Sequence, residues 1–329
     1  MKRTEKDIFL FMETSAGVVL DSSLELITAA RTISRETGGQ IVALLPGTRN
    51  QREAERLTRY GLDMVIQIDE APLADYSTAR YTRVLHRLIQ EHRPDVVMIS
   101  ATRIGKDLAP RLARRLGTGI TANCTEVDVE SETGLVHWRM PAPGGIMATI
   151  LCRDTRPQMG TICPGAFEKP EADPAKKTEI IREAIDVGDE EALVELAHQV
   201  RVNAGAQALA GAEIVVAGGR GMGDRAGFQL IHELAHCLGA AAGASRAAVD
   251  SGFAAQQLLI GQTGTIIRPK LYIACGISGA LQHMVGAEKA ACIVAINRDR
   301  EAPILAYADY AVIGDVREIL PALIQALRP

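Results

Sequence analysis

Two short stretches of the sequence hold residue types whose spacing could carry chemistry. The first, EIVVAGGRGMGD at residues 213–224, runs from apolar residues into glycines and then into a helix-like segment. It matches a dinucleotide-binding pattern, with Gly221, Gly223 and Ala226 at the three small-residue positions. In such a turn the glycines let a phosphate approach backbone N–H groups at the start of a helix.

The pattern leaves the identity of the nucleotide open. The carboxylate that binds the ribose of NAD, expected about 20 residues later, is absent, and Ser245 and Arg246 stand in that region instead. An arginine there could bind the 2′-phosphate of NADP. The stretch alone therefore permits NAD, NADP or FAD, and it equally permits a tight structural turn without a ligand.

The second stretch is HELAH at residues 232–236, which satisfies the HExxH pattern of zinc-binding helices. Catalytic zinc also needs a third protein ligand and an open coordination position, and no convincing third ligand is near. We interpret the stretch as the polar face of the helix that follows the glycine turn, and we predict no metal site.

Apolar runs predict the elements that position these residues. In the first half, buried strands are expected at 8–13, 40–46, 64–69 and 96–100, with helices at 22–36, 50–60, 77–92 and 105–116. This alternation indicates a parallel sheet with right-handed crossovers. Residues 119–163 are β-rich and interrupted by Gly and Pro, so they either extend that sheet or fold over it.

A charged, proline-containing segment at about 164–203 separates this region from a second alternating one. Strands are expected in EIVVAGG, LYIACG, ACIVAINRD and YAVIGD. Because 329 residues exceed one ordinary core, we predict two doubly wound α/β domains. They are an N-terminal parallel-sheet domain with the linker at 1–203 and a C-terminal domain at 204–329, which we expect to swivel on that linker.

Composition and charge exclude several classes of protein. The net charge of −4 gives no electrostatic reason to expect nucleic acid or an anionic membrane as a partner. None of the six cysteines has CxxC spacing, which argues against zinc ribbons, iron–sulfur clusters and a disulfide framework. No apolar run has membrane-spanning length, and no signal segment precedes the first strand. We expect a bacterial, cytoplasmic protein without stable membrane insertion.

The polar loops of the second half are more specific than either short pattern. In order they read VAGGRGMGD, GASRAAVDSGF, IGQTGTIIRPKLYIACGISGALQH, VAINRDREAPIL and YAVIGD. Together they resemble the electron-transfer flavoprotein α-subunit family, densely from about residue 211 to the end. LAPRLARRLGTGITANCTEVDVE resembles the family in the first half, more diffusely.

The resemblance implies a Rossmann-like C-terminal domain that binds FAD. It also implies pairing with a β-subunit that carries AMP or a second FAD. Electrons would then pass from a flavin dehydrogenase, such as an acyl-CoA dehydrogenase, to a redox acceptor. Whether this happens inside a flavin-based bifurcating complex is left open by the sequence.

Carried over position by position, the resemblance implies a set of cofactor contacts in these loops. The set comprises Arg220, Ser245, Arg246, Ile260, Gly261, Gln262, Thr263, Ser278, Gly279, Ala280, Leu281, Gln282, His283, Asn297, Asp315 and Val316.

Specific roles follow for the polar members of the set. Arg246 is expected to stabilise negative charge on the reduced isoalloxazine, His283 to donate to its C2 carbonyl and Thr263 to reach N5. The start of the GISGALQH helix is expected to hold the pyrophosphate. Asn297 and Asp315, at strand ends, are expected to bind hydroxyls of the ribose or adenosine.

No Ser/His/Asp triad, carboxylate pair or reactive cysteine constellation indicates hydrolysis, so we expect an electron-carrier subunit without an organic substrate of its own. Two alternatives remain. One is an NADP-dependent oxidoreductase that uses Arg246 for the 2′-phosphate. The other is a non-catalytic scaffold half whose FAD loops are vestigial.

Overall fold

The structure, a computed structural model, describes residues 6–142, 146–175, 178–187, 209 and 211–327. The chain divides into two compact units, Met1–Gln199 and Val200–Pro329. The expected domain boundary near residue 203 and the linker residues 188–203, on which the expected swivel depends, lie outside the described residues.

The N-terminal unit is a parallel sheet covered by helices on both faces. Its strands are β1 Ile8–Phe11, β2 Thr14–Ser15, β3 Val18–Val19, β4 Ile41–Gly47, β5 Met64–Asp69, β6 Val96–Ser100, β7 Ile120–Cys124, β8 Glu126–Val129, β9 Val136–Ala142, β10 Ile146–Ile150, β11 Gln158–Ile162 and β12 Glu179–Arg182. Its helices are α1 Asp21–Thr37, α2 Gln51–Leu57, α3 Thr78–His92 and α4 Arg103–Leu116. The main sheet has the order β12-β5-β4-β1-β6-β11-β7, with every pairing parallel.

The helices form where the sequence predicts them, because each combines a buried apolar stripe with clear end signals. Helix α1 packs Leu24 and Ile27 into the core cluster on one face of the sheet, and α3 and α4 pack into the cluster on the other. The Thr102 hydroxyl caps α4 by accepting a hydrogen bond from the Gly105 N–H at 2.9 Å. Gly38 and Gly117 end α1 and α4 in the left-handed conformation. The predicted α/β fold class is confirmed.

The β-rich residues 119–163 both extend the parallel sheet and form a second sheet beside it. Strands β7 and β11 extend the parallel sheet, whereas β8, β9 and β10 form a separate antiparallel sheet. Trp138 on β9 is fully buried, and its ring lies so close to Gly160 on β11 that any side chain at that position would overlap it. This contact ties the small sheet to the large one.

Part of the expected linker belongs to the sheet. Residues of β12 pair in parallel with β5, starting with Glu179 opposite Met64. Beyond the strand, Ile185 and Val187 are buried in the N-terminal core. The apolar residues within this charged segment therefore have a packing role, which the composition of the segment as a whole concealed.

The C-terminal unit is a five-stranded parallel sheet with helices on both faces. Its strands are β13 Ile214–Gly218, β14 Ala241–Ala244, β15 Leu271–Cys275, β16 Ile293–Asn297 and β17 Tyr310–Ile313, in the order β14-β13-β15-β16-β17. Its helices are α5 Arg225–Leu238, α6 Arg246–Asp250, α7 Leu281–Met284 and α8 Val316–Leu327. Along the described chain, no helix combines the length and the apolar character needed to cross a bilayer.

Alternate residues of the central strands enter opposite cores, as the two-residue period of a strand requires. Val215 and Tyr272 face the cluster that contains Met284, whereas Val216 and Ile273 face the cluster built with α5 and α8. A strand buried on both faces reads as a continuous apolar run. This explains why these strands are visible in the sequence.

We expect Gly160→Ala to lower the free energy of unfolding of the N-terminal unit by about 1–3 kcal/mol, because the added methyl group would overlap the buried Trp138 ring. Urea unfolding followed by tryptophan fluorescence measures this directly, since Trp138 is the single tryptophan of the chain. Gly119→Ala is the matched control, because a Cβ there meets no atom within 4 Å. Equal unfolding midpoints for the two variants would contradict the packing argument.

Candidate functional site

The candidate site lies at the carboxyl edge of the C-terminal sheet. The chain leaves β13 for β14 on one side and then continues in β15 on the other side of β13. Such a reversal of strand order opens a crevice beyond the carboxyl ends of the two strands. The predicted residues Arg220, Ser245, Ser278, Asn297 and Asp315 end or directly follow the five strands, so the fold gathers them along this edge.

The glycine turn after β13 is packed against the loop after β15, backbone on backbone. The Gly221 N–H donates to the Gly276 carbonyl at 3.0 Å. A Cβ at position 221 would lie 2.8 Å from the Gly276 Cα, and a Cβ at position 219 would overlap the Gly276 carbonyl oxygen. Glycine is required here by the neighbouring chain segment, with no ligand involved.

The N–H groups of this turn are also used within the protein. These are backbone bonds from N–H to carbonyl oxygen: from Gly219 to Cys275 at 2.8 Å, from Met222 to Gly219 at 3.2 Å and from Gly223 to Arg220 at 3.0 Å. A turn whose donors are already paired is not the phosphate cradle that the dinucleotide pattern describes. Of the readings that the sequence permits for this stretch, the geometry favours the tight turn, with the Arg220 side chain exposed on it.

An arginine that sequence reasoning missed holds the glycine turn to α8. Arg317 donates from Nε and Nη2 to the Met222 carbonyl at 3.1 and 2.9 Å, and Nη2 also meets Asp224 Oδ2 at 2.9 Å. Asp224 caps α5 by accepting from the Gly227 N–H at 2.6 Å. That hydrogen bond, together with Arg317, lowers the pKa of the Asp224 carboxyl. An Asp before a helical segment is a recognisable cap signal, whereas nothing local in the sequence marks Arg317.

Exposed polar side chains line the rest of the edge. Arg246 is the first residue of α6, and its side chain is 56% exposed with Nε 3.9 Å from Asp250 Oδ2. Gln262 and Thr263 form the exposed tip of a tight loop, which closes because the Gly264 N–H donates to the Gly261 carbonyl at 2.9 Å. Both segments present hydrogen-bonding groups to solvent.

The start of α7 offers backbone donors at the same edge. Ser278 is exposed, and its carbonyl accepts from the Ile304 N–H at 3.1 Å, which fixes the turn. Within the described part of the chain, the N–H groups of the next four residues have no protein acceptor. These residues are Gly279, Ala280, Leu281 and Gln282. Together with the Ser278 hydroxyl they suit an anionic group, and the pyrophosphate contact expected here stays a prediction.

His283 is placed differently from the expectation. Its ring is buried, with Nδ1 3.1 Å from the Ile260 carbonyl oxygen and Nε2 2.7 Å from the Tyr272 hydroxyl. Burial lowers the pKa of His283 to about 4, although the contact with Ile260 opposes this shift. Since both ring nitrogens are engaged by the protein, the expected donation from the ring to a flavin carbonyl is not what this geometry provides.

The side chain of Asn297 is likewise committed to the protein. Its Nδ2 donates to the Ile277 carbonyl at 2.9 Å, and its Oδ1 accepts from the Asp299 N–H at 3.0 Å. In these positions the amide shapes the loops after β15 and β16. These bonds use one N–H of Nδ2 and one lone pair of Oδ1, so the expected contact with a ligand hydroxyl stays a prediction. Its location at a strand end was predictable, but its partners were not.

Other predicted residues serve partly as supports. Ser245 Oγ accepts from the Ala248 N–H at 3.4 Å, and Asp315 Oδ1 accepts from the Arg317 N–H at 2.8 Å. Ile260 and Val316 are buried, so their side chains pack beneath the loops. They contribute to the site by holding exposed neighbours in place.

The HELAH stretch lies in α5 with His232 and His236 exposed and Leu234 buried. His232 meets the ring of Phe228 edge-on at a centroid distance of 5.6 Å. A search of the described residues finds no group of three His, Cys, Asp or Glu side chains arranged to hold a metal ion. The stretch has the geometry of a helix that packs on the sheet through its apolar positions.

Comparison with known proteins finds full-length similarity. Residues 8–187 match the electron transfer flavoprotein domain, and residues 208–288 match the electron transfer flavoprotein FAD-binding domain. An electron transfer flavoprotein subunit alpha of Thermoanaerobacterium thermosaccharolyticum is 40% identical over 98% of both chains. That of Megasphaera elsdenii is 40% identical over 98% of this chain and 96% of its own. An acryloyl-CoA reductase electron transfer subunit beta of Anaerotignum propionicum is 35% identical over 98% and 96%.

The buried, neutral His283 predicts a pH dependence of stability. Its pKa of about 4 in the folded protein lies below the usual 6.5, so the unfolded chain binds the proton first as pH falls. Above about pH 6.5 the neutral ring costs the folded protein nothing. Between about pH 6.5 and about pH 4 the free energy of unfolding falls, by at most on the order of 3 kcal/mol.

Urea unfolding of the wild type and of His283→Asn, from about pH 7 to about pH 4.5, tests this prediction. The variant should lose less stability over this range, because it has no imidazole to protonate. His236→Asn, at an exposed histidine of α5, should follow the wild type. Parallel curves for wild type and His283→Asn would show that His283 does not contribute.

Proposed function

Because this chain belongs to the electron transfer flavoprotein α-subunit family, we propose that the carboxyl edge of its C-terminal sheet is where it holds FAD for electron transfer. FAD is the cofactor of the matching C-terminal domain, and the role of the family is electron transfer. When bound, FAD supplies reversible uptake and release of electrons. The protein supplies the position and the electrostatic surroundings.

One observation supports the placement: exposed polar groups from several loops lie at the carboxyl edge of the sheet, around its switch point. The cations Arg220 and Arg246 suit a diphosphate and a ring system that gains negative charge on reduction. The unpaired N–H groups at the start of α7 suit a phosphate. The residues at this edge therefore fit FAD chemically. The glycine turn alone fits it less well, because several of its N–H groups are hydrogen-bonded within the protein.

We propose two kinds of role within the predicted set. The residues that contact FAD are the exposed or donor-bearing ones, namely Arg220, Arg246, Gln262, Thr263, Ser278, Gly279, Ala280, Leu281 and Gln282. The residues that position these contacts are Ser245, Ile260, Gly261, His283, Asn297, Asp315 and Val316. The Thr263 hydroxyl is a donor toward the flavin ring, and Arg246 stabilises added negative charge there.

The family also bears on partners, because electron transfer flavoprotein α-subunits pair with a β-subunit. We propose that this chain does so, that its β-subunit carries AMP or a second FAD, and that a flavin dehydrogenase such as an acyl-CoA dehydrogenase exchanges electrons with the pair. The name of the Anaerotignum relative, an electron transfer subunit of acryloyl-CoA reductase, supports this class of partner. We place the complex in the bacterial cytoplasm, because the six cysteines are all free thiols.

Co-expression and co-purification with an electron transfer flavoprotein β-subunit test the proposed function. We expect the complex to show the two visible absorption bands of flavin, with one FAD per heterodimer if the partner carries AMP and two if it carries a second FAD. Acid release followed by chromatography identifies and counts the nucleotides. A complex that binds NADP and no flavin would establish the alternative oxidoreductase, and one that folds with no nucleotide would establish the scaffold.

We expect Arg246→Ala to lower the midpoint potential of bound FAD by tens of millivolts, because it removes a cation that stabilises the reduced ring. The effect is limited to ~60 mV, equivalent to about 1.4 kcal/mol for one electron, since exposed charges are screened. Spectroelectrochemical titration measures it.

Two matched variants accompany Arg246→Ala. Arg246→Lys should have a midpoint potential close to that of the wild type, because it keeps the positive charge. Lys270→Ala makes the same charge change directly before β15, at the opposite edge of the sheet, and should leave the potential unchanged. A potential that is equal in Arg246→Ala and Lys270→Ala would overturn the role of Arg246.

A further inference from the structure

A buried tyrosine lies behind the cofactor edge in contact with His283. Tyr272 on β15 is completely buried, and its hydroxyl is 2.7 Å from His283 Nε2. The two rings are tilted by 37° with centroids 6.2 Å apart. On its other side, His283 Nδ1 is 3.1 Å from the Ile260 carbonyl oxygen. Three residues from three segments thus form one hydrogen-bonded chain.

The chemistry of the groups fixes the direction of this chain. A carbonyl oxygen only accepts, so the proton must be on His283 Nδ1. In the neutral ring Nε2 is then an acceptor, and the Tyr272 hydroxyl donates to it. Burial raises the pKa of Tyr272 well above its ordinary value, which keeps the phenol protonated as a donor. The Ile260 carbonyl therefore fixes the tautomer, and the Tyr272 hydroxyl pairs the remaining acceptor nitrogen of the buried ring.

The chain joins the two loops that carry most of the proposed FAD contacts. Ile260 begins the loop whose tip is Gln262 and Thr263, and His283 ends the segment that starts at Ser278. The backbones of these loops already touch, because the Gln262 N–H donates to the Gln282 carbonyl at 2.7 Å. A Cβ at position 261 would lie 2.6 Å from the same carbonyl oxygen, so the two loops are too close to admit a side chain there.

We propose that Tyr272 is a positioning residue for the cofactor: by donating to Nε2 of His283 it holds the ring against the Ile260 carbonyl and so helps set the spacing between the 260–265 loop and the start of α7. This inference rests on the proposed function, because these loops matter only if they bind FAD. Tyr272 itself does not touch the cofactor in this proposal. It acts through His283.

The first test is Tyr272→Phe in the complete α/β complex, with FAD affinity measured by flavin fluorescence after dilution. The ring volume is kept and only the donor is lost, so a buried acceptor is left unpaired and we expect about tenfold weaker FAD binding. Tyr310→Phe, at an exposed tyrosine of β17, is the matched control and should bind FAD like the wild type. Equal affinity of Tyr272→Phe and wild type would overturn the proposal.

A pair of His283 variants separates positioning from general destabilisation. The amide nitrogen of Asn occupies the place of Nδ1 and that of Gln the place of Nε2, so only His283→Asn keeps a donor toward Ile260. We expect FAD affinity to fall about threefold in His283→Asn and about tenfold in His283→Gln. Adding Tyr272→Phe to His283→Asn should cause no further loss. Independent, multiplying losses would overturn the link between the two residues.

The tautomer itself provides a readout that does not depend on a variant that folds. Ring nitrogen shifts of isotopically labelled histidine in the wild-type complex should show His283 with its proton on Nδ1 at neutral pH. A proton on Nε2 would overturn the proposal. If the wild-type complex binds no FAD, the proposed function fails; if it binds FAD but tautomer or affinity differs from expectation, only the role of Tyr272 fails.

Discussion

The C-terminal unit depends on one close contact between backbones at the switch point of its sheet. Where β13 and β15 end, the following loops cross so tightly that Gly221 and Gly276 leave no room for a side chain on either. The hydrogen bond from the Gly221 N–H to the Gly276 carbonyl fixes this crossing at 3.0 Å. All other loops at the edge are arranged around it, since β13 and β15 are the central neighbours from which the strand order reverses.

This contact changes the meaning of the glycine-rich stretch. In a phosphate-binding turn, glycines bring a ligand close to unpaired N–H groups. Here they bring a second loop close, and the protein itself uses the N–H groups of Gly219, Met222 and Gly223. A run of four unpaired donors lies at the start of α7, within the described residues. A glycine-rich pattern can therefore serve the packing of two loops, while the donors that suit an anion lie in a neighbouring loop. The two cases differ in whether the backbone N–H groups already have acceptors within the protein.

The sequence predicts the elements well because most strands are buried on both faces and most helices have strong amphipathic stripes. It predicts them poorly where a short apolar run lies in a charged segment, as in β12, whose parallel pairing with β5 joins residues far apart in the chain. In the site, the order of the loops in the sequence predicts contact residues such as Arg246 and Thr263, which are exposed in the structure. The partners of His283 and Asn297 were not predictable, because they come from segments that only the folded sheet brings together.

The distribution of charge at this edge follows from the same division between buried and exposed residues. His283 is kept neutral by burial, which outweighs the opposing contact with the Ile260 carbonyl. The cations of the predicted set are Arg220 and Arg246, which are exposed. In the proposed arrangement, the buried network sets the distances between the loops and the exposed arginines set the potential of the flavin.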